Sequence, residues 1–253
     1  MTKVRGRIQY GYSEKFAEFM YDEKSRKLKA LRAIQIFNDN TSTPLKNQKC
    51  LTVGSATGIM SFFMADYFQE VIGIDIDRPA LEYSKRNYSK ENVSCFEMDA
   101  LNTGFIDNSF DAVVCHHTYE HVSDSEKLIQ EIYRILKPNG LLFFGAPNRL
   151  MLKESHYSIY FLSWWPKKIS SLILKIMGKD DYYYETMRTY WGIKKLLSLF
   201  TDVQDYTLRC VREPDKYYSR DVIDEMKWVT VLPNIVLRLL LPFAPDFVFF
   251  ARK

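Results

Sequence analysis

The spacing of apolar residues changes character along the chain, and each change marks a different kind of element. Between Ser13 and Phe37, Phe16, Phe19, Met20, Leu28, Leu31, Ile34 and Ile36 fall mostly at three- and four-residue intervals. That spacing predicts one long helix. The polar stretch from Asn38 to Gln48, with Pro44 inside it, predicts a loop. From Lys49 to Pro147 short apolar runs alternate with helical stretches. The runs Cys50–Val53, Val71–Asp75, Val93–Glu97, Ala112–Cys115 and Leu141–Ala146 predict strands, several of them continuously apolar, as strands covered on both faces are. Between them Gly58–Phe68, Ala80–Tyr88 and Ser125–Leu136 predict helices. Such alternation builds a parallel sheet through right-handed crossovers.

Local signals fit this register. Asp77 followed by Pro79 reads as a helix start, and Ser123 with Glu126 as a capping box. Lys137-Pro138-Asn139-Gly140 reads as a helix stop and a turn into the next strand. After Asn148 the alternation ends. Aromatic stretches at Tyr157–Trp165, Lys167–Met177 and Arg188–Phe200 predict helices. Val203–Val211 predicts a strand, Tyr218–Leu241 a helix broken at Pro233, and Phe247–Ala251 a last strand. The fold class expected is α/β: a doubly wound, mostly parallel seven-stranded sheet, Rossmann-like, with a helical aromatic-rich insertion before the last two strands. Four segments follow: an N-terminal helical segment at 1–48, the α/β core at 49–148, a helical cap at 149–200, and strands and helices completing the sheet at 201–253.

Composition narrows the class. Hydrophobic residues make up 47% and charged residues 26% of the 253, the balance of a globular protein. A net charge of +4, with no basic stripe, argues against nucleic acid as a partner. Cys50, Cys95, Cys115 and Cys210 are scattered in or beside apolar runs, as core residues of a reducing compartment are. Met1–Gly11 has no apolar core of a secretory signal, so a cytoplasmic protein is expected. The sequence leaves the oligomeric state unknown.

In doubly wound sheets, ligands bind at the carboxyl ends of the strands near the topological switch point. Four candidate positions fall there. Val53-Gly54-Ser55-Ala56-Thr57-Gly58 lets a ligand approach the backbone, with helix amides behind it for a methionine carboxylate or a pyrophosphate. Asp75 ends the second strand, where a carboxylate can accept both hydroxyls of a ribose. Asp99 and Ala100 follow the third strand, an acid for an adenine amino group beside room for its ring. Cys115-His116-His117-Thr118-Tyr119-Glu120-His121 follows the fourth and gathers three of the four histidines. Imidazole suits general-base work near neutral pH. No further ligand pattern supports a metal, and none is expected.

Taken together, Gly54–Gly58, Asp75, Asp99-Ala100, Phe110–Val114 with Glu120-His121-Val122, and Leu136–Leu141 resemble class I S-adenosylmethionine-dependent methyltransferases, in the small-molecule branch that includes quinone-precursor methylating enzymes. The resemblance covers Lys49 to Arg149. It implies S-adenosyl-L-methionine as cofactor, with Gly54, Ser55 and Gly58 along its methionine part. Asp75 would hold the ribose, and Ile76 would pack on the adenine. Asp99 and Ala100 would meet the adenine edge, and His116 would flank the sulfonium. His121, with His117 second, is the candidate base for O- or C-methylation of a small-molecule or lipid-linked acceptor. Trp164-Trp165-Pro166-Lys167-Lys168 and the apolar run after it have interfacial character, so peripheral membrane contact is a further expectation. Thr52 stands where the family commonly has an acid, and Ala56 where glycine is more frequent. These two departures motivate a second reading, a methyltransferase-like protein that binds cofactor or a partner without catalysis.

Overall fold

The computed structural model describes residues 11–220 and 227–253. Seven strands, β1 (Lys49–Val53), β2 (Glu70–Asp75), β3 (Val93–Glu97), β4 (Phe110–His116), β5 (Leu136–Pro147), β6 (Gln204–Asp205) and β7 (Asp246–Arg252), form one sheet in the order β3-β2-β1-β4-β5-β7-β6. The first five are parallel. Strand β7 runs antiparallel between β5 and β6. From β1 the chain winds outward to β2 and β3, then returns to place β4 on the other side of β1. The switch point therefore lies between the carboxyl ends of β1 and β4.

Side-chain alternation divides the core between the two faces. Leu51, Val53, Val113, Cys115, Phe247 and Phe249 point to one face, where helices α6 (Ser125–Ile135) and α8 (Tyr190–Leu196) cover them. Cys50, Ala112, Val114, Val248 and Phe250 point to the other, under α3 (Glu23–Asn40), α4 (Ile59–Met64) and α9 (Thr207–Arg212). Thr52 belongs to that second face. Its hydroxyl meets Ser61 Oγ at 2.6 Å beneath the loop, inside the fold.

Several predicted elements are placed differently, each for a local reason. The long N-terminal helix is three: α1 (Tyr12–Lys15), α2 (Ala17–Met20) and α3. Asp22 starts the third by accepting from Ser25 N at 3.0 Å, so a cap interrupts an otherwise periodic pattern. Asp124, not Ser123, caps α6, its Oδ1 accepting from the amides of Glu126 and Lys127. Tyr157–Trp165 holds only a short turn at Leu162–Trp164, because Ser158 and Phe161 adopt positive φ. The strand predicted over Val203–Val211 lasts two residues. The Asp205 carboxylate accepts from Thr207 N at 2.8 Å and opens α9, which buries Thr207 and Cys210. Within the insertion, α7 (Lys167–Ile176) and α8 match their predicted positions closely. Pro233 separates short helices at Lys227–Thr230 and Asn234–Leu240. Tyr218, at φ +51°, lies in a turn rather than a helix, and residues 221–226 of that predicted helix, with most of the polar N-terminal stretch, fall outside the described residues. No described helix is long and apolar enough to cross a membrane.

Candidate active site

A cavity of about 270 Å³ opens at the switch point. Its floor comes from the ends of β1 to β4, and its roof from α1 to α3 and residues 155–156 of the insertion. Gly54, Asp75, Ile76, Asp99, Ala100, His116, His117 and His121 all line it. Ser55 and Gly58 do not.

The loop after β1 is shaped by close approach. Gly54 has φ +70°, and a Cβ there would come within 2.3 Å of Thr118 Oγ1. Gly58 has φ +73°, and a Cβ would strike Ser84 Oγ at 1.8 Å. Gly58 therefore serves the packing of this loop on α5 (Arg78–Asn87). Ser55 is buried, and its Oγ has no hydrogen-bond partner. Ala56 takes the turn at φ +47°, and its amide donates to Asp75 Oδ2 at 2.7 Å.

Asp75 is braced on both oxygens, since Oδ1 accepts from Asp77 N at 2.9 Å. Each oxygen keeps a lone pair for a ligand hydroxyl. Burial raises its pKa against these amide hydrogen bonds, so a ligand that adds donors would favour the charged form. Asp99 Oδ1 accepts from Leu101 N at 2.9 Å, which fixes the carboxylate at the rim beside Ala100. Asp77 stands at the start of α5 but does not cap it. Its buried carboxylate accepts instead from Ser13 N at 2.7 Å and Gly11 N at 3.3 Å, which ties the N-terminal segment across the cavity.

The histidines divide in role. His116 is pushed well below the usual imidazole range by burial and then by His117, whose ring stacks on it at 4.2 Å. Its Nε2 is buried without a partner. His117, at φ +51°, meets Asp246 Oδ2 through Nε2 at 2.9 Å. His121 is likewise held well down, by burial and then by the neighbouring imidazoles of His156 and His117. Its Nε2 lies 3.6 Å from Glu120 Oε1. Glu120 is fully buried, neither oxygen has a hydrogen-bond partner, and burial raises its pKa to about 7.

One residue of the site, Arg26, escapes sequence reasoning, and a second, His156, falls within the predicted cap. Arg26 reaches the cavity from α3. Its Nη2 donates to Met20 Sδ at 3.0 Å, and its Nε is buried without a partner. Burial lowers its pKa, and the charge of Asp75 works the other way. On the sequence it is one basic residue among many on a helix. His156 comes from the insertion, where the turn that carries it has no periodic signature. An orphaned guanidinium nitrogen, an orphaned imidazole and a braced carboxylate around a loop with no room for a Cβ fit a zwitterionic nucleoside ligand.

Comparison with known proteins agrees with this geometry. Residues 51–144 match the family described as a methyltransferase domain. The chain is 32% identical over 148 residues to the ubiquinone biosynthesis O-methyltransferase of Actinobacillus pleuropneumoniae, covering 56% of this chain and 59% of that protein. A protein of the same name from Thiobacillus denitrificans is 32% identical over 117 residues, 44% of this chain and 49% of its own. The matched region thus spans half to three fifths of these relatives. Among solved structures, an S-adenosylmethionine-dependent methyltransferase from Mesorhizobium loti superposes with a TM-score of 0.58 at 14% identity, over 88% of this chain and 96% of its own. The Haemonchus contortus phosphoethanolamine N-methyltransferase 2, solved with phosphomonomethylethanolamine and S-adenosylhomocysteine, gives 0.55 at 17%, over 95% of this chain and 59% of its own. At these identities the two structures speak for the fold.

Proposed function

We propose that this chain, whose residues 51–144 match the family described as a methyltransferase domain, is a class I S-adenosylmethionine-dependent methyltransferase that methylates a small molecule bearing a hydroxyl or an activated carbon. The observation that carries the reading is Asp75, braced by two amides at the wall of a cavity that Gly54 keeps open. S-adenosylmethionine, when bound, supplies a methyl group already activated by the sulfonium charge. The chain's residues hold and orient it. Asp75 accepts from the ribose hydroxyls, Ile76 and Ala100 flank the adenine, and Asp99 meets its edge. Arg26 Nε pairs with the carboxylate, while His116 lies beside the sulfonium. Uncharged His116 is the right state there, because a second cation would oppose the first. His121, with His117 beside it, faces the acceptor's side of the cavity and positions its nucleophilic atom. The roof of α1 to α3 excludes water, so donor and acceptor react in line.

The finer reading is a lipid-linked acceptor met at a membrane surface. Helix α7 supports it, because it buries Ser170 and Leu174 yet leaves a second row of apolar side chains outward. Leu172 is 56% and Ile176 76% exposed, with Ile169, Met177, Trp164 and Trp165 also exposed beside Lys167 and Lys168. Apolar side chains next to lysines and tryptophans suit an anionic lipid interface. Residues 149–200 would then serve as both cap and membrane foot.

Calorimetric titration with S-adenosylhomocysteine tests the cofactor site. Micromolar affinity is expected for the wild type and a loss of at least tenfold for Asp75→Ala. A wild type that does not bind sinks the reading. Co-sedimentation with vesicles of mixed neutral and anionic phospholipid tests the foot, and binding should fall in Trp164→Ala/Ile176→Ser. Equal sedimentation of both proteins would remove the lipid-surface reading and leave the methyltransferase reading intact.

A further inference from the structure

The insertion returns a short turn to the cavity, and that turn is built around one carboxylate. Glu154 is fully buried. Its Oε2 accepts from the amides of His156 and Tyr157 at 2.9 and 2.8 Å, and its Oε1 from His156 Nδ1 at 2.6 Å. Three donors on one carboxylate fix its geometry. They also fix the imidazole. With Nδ1 donating to Glu154, Nε2 lies on the opposite edge of a ring that lines the cavity. The ring is held edge-on against His121 at 5.1 Å and Phe16 at 5.9 Å. A buried carboxylate that orients an imidazole toward a reaction space is the arrangement of an acid–base dyad.

We propose that His156, oriented by Glu154, is a catalytic residue of the transfer: its Nε2–H pairs with the acceptor oxygen, so that the oxygen is held and reacts as an oxyanion. The proposal rests on the methyltransferase reading above and adds to it the group that stabilises the acceptor's charge. The acceptor gives up its O–H proton to solvent as it binds, and the oxyanion accepts from Nε2–H. The oxygen then makes a bond to the methyl carbon as the C–S bond breaks, its electron pair leaving on sulfur. The imidazolium keeps its protons throughout, paired with Glu154, and the neutral methylated product leaves it. His121 positions the acceptor, and Glu154 is a positioning residue that acts through His156.

The charges around the ring support this division. Burial alone would lower His156, but the hydrogen bond and charge of Glu154, then the charges of Glu185 and Glu120, raise it to about 9. The groups that face it are Glu154 on its own turn, Glu185 ahead of α8, Glu120 and His121 after β4, and Tyr12 on α1. Lys15 is the nearby cation, over the Tyr157 ring at 5.5 Å. The same enclosure holds His121 well down. Of the two imidazoles, His156 therefore keeps the proton.

The test reads ionisation of a bound probe and needs no turnover. Protein saturated with S-adenosylhomocysteine is titrated with 4-nitrocatechol at pH 6, where the free probe is mainly neutral and its phenolate has its own visible band. The wild type is expected to bind it as the phenolate. His156→Gln should weaken binding at least tenfold and return the probe to its neutral spectrum, and Glu154→Gln should do so in part. Each variant is first shown to bind S-adenosylhomocysteine with wild-type affinity, which establishes its fold. Failure of the wild type in that first titration would count against the methyltransferase reading. A wild type that binds cofactor product but not the phenolate, or equal phenolate spectra in wild type and His156→Gln, would overturn the role of His156 alone.

Discussion

Gly54 and Ala56 occupy the same loop in the same left-handed backbone region, yet substitution should act on them in opposite directions. At Gly54 a Cβ would come within 2.3 Å of Thr118 Oγ1. Gly54→Ala is therefore expected to lose at least tenfold in S-adenosylhomocysteine affinity, measured by calorimetry, and about 1–3 kcal/mol in stability. At Ala56, φ +47° already carries a side chain in a region L-residues avoid. Ala56→Gly should raise stability by about 1 kcal/mol in thermal unfolding, with the cofactor site unchanged. Glu120 makes a prediction of a different kind. Its unfolded pKa lies near 4.5, while burial raises the folded value to about 7. The folded state binds the extra proton between those values, so stability is drawn down as pH rises through this window. Glu120→Gln should leave Tm unchanged near pH 4 and raise it near pH 8, by about 2–3 kcal/mol in stability. A Tm difference independent of pH would contradict the assignment.

At the scale of elements, the core between Lys49 and Pro147 was legible because period and punctuation agreed there. Continuous apolar runs set the strands, and the residues at their carboxyl ends line one cavity, Ser55 and Gly58 excepted. What escaped reading was set by hydrogen bonds that periodicity does not carry. Asp22 and Asp205 each redirect a backbone through one side-chain acceptor. Asp77 has the sequence context of a cap but bonds amides 64 and 66 positions earlier. Arg26 reaches the site from an element outside the core, so nothing local marks it, whereas His156 comes from the predicted cap. The Asp77 contact is testable as a unit, because it joins α1 to the start of α5. Asp77→Ala should expose the chain near residues 11–22 to limited proteolysis and weaken S-adenosylhomocysteine several-fold. Unchanged cleavage would show that the roof is held by other contacts, such as Thr57 Oγ1 donating to Met20 O at 2.9 Å.

The whole molecule depends on a strand that is late in sequence and central in space. Strand β7 pairs with β5 from Leu141↔Arg252 to Pro147↔Asp246, separates β5 from the edge, and buries Phe247, Phe249 and Phe250 completely. At its start Asp246 holds His117 across a sequence separation of 129 residues. Removal of residues 246–253 would leave β5 as a long, apolar, unpaired edge, the kind that associates with other chains. Such a truncation is expected to be recovered as aggregate, and a soluble monomer that still bound S-adenosylhomocysteine would contradict this. The same geometry bears on synthesis. The five parallel strands leave the ribosome well before the partner that shields their outermost member. During that interval the nascent chain already has most of its sheet but not the strand that steadies His117. The growing protein therefore passes through a stage rich in secondary structure, prone to association and without a finished site, so its yield should depend on chaperones that bind nascent chains.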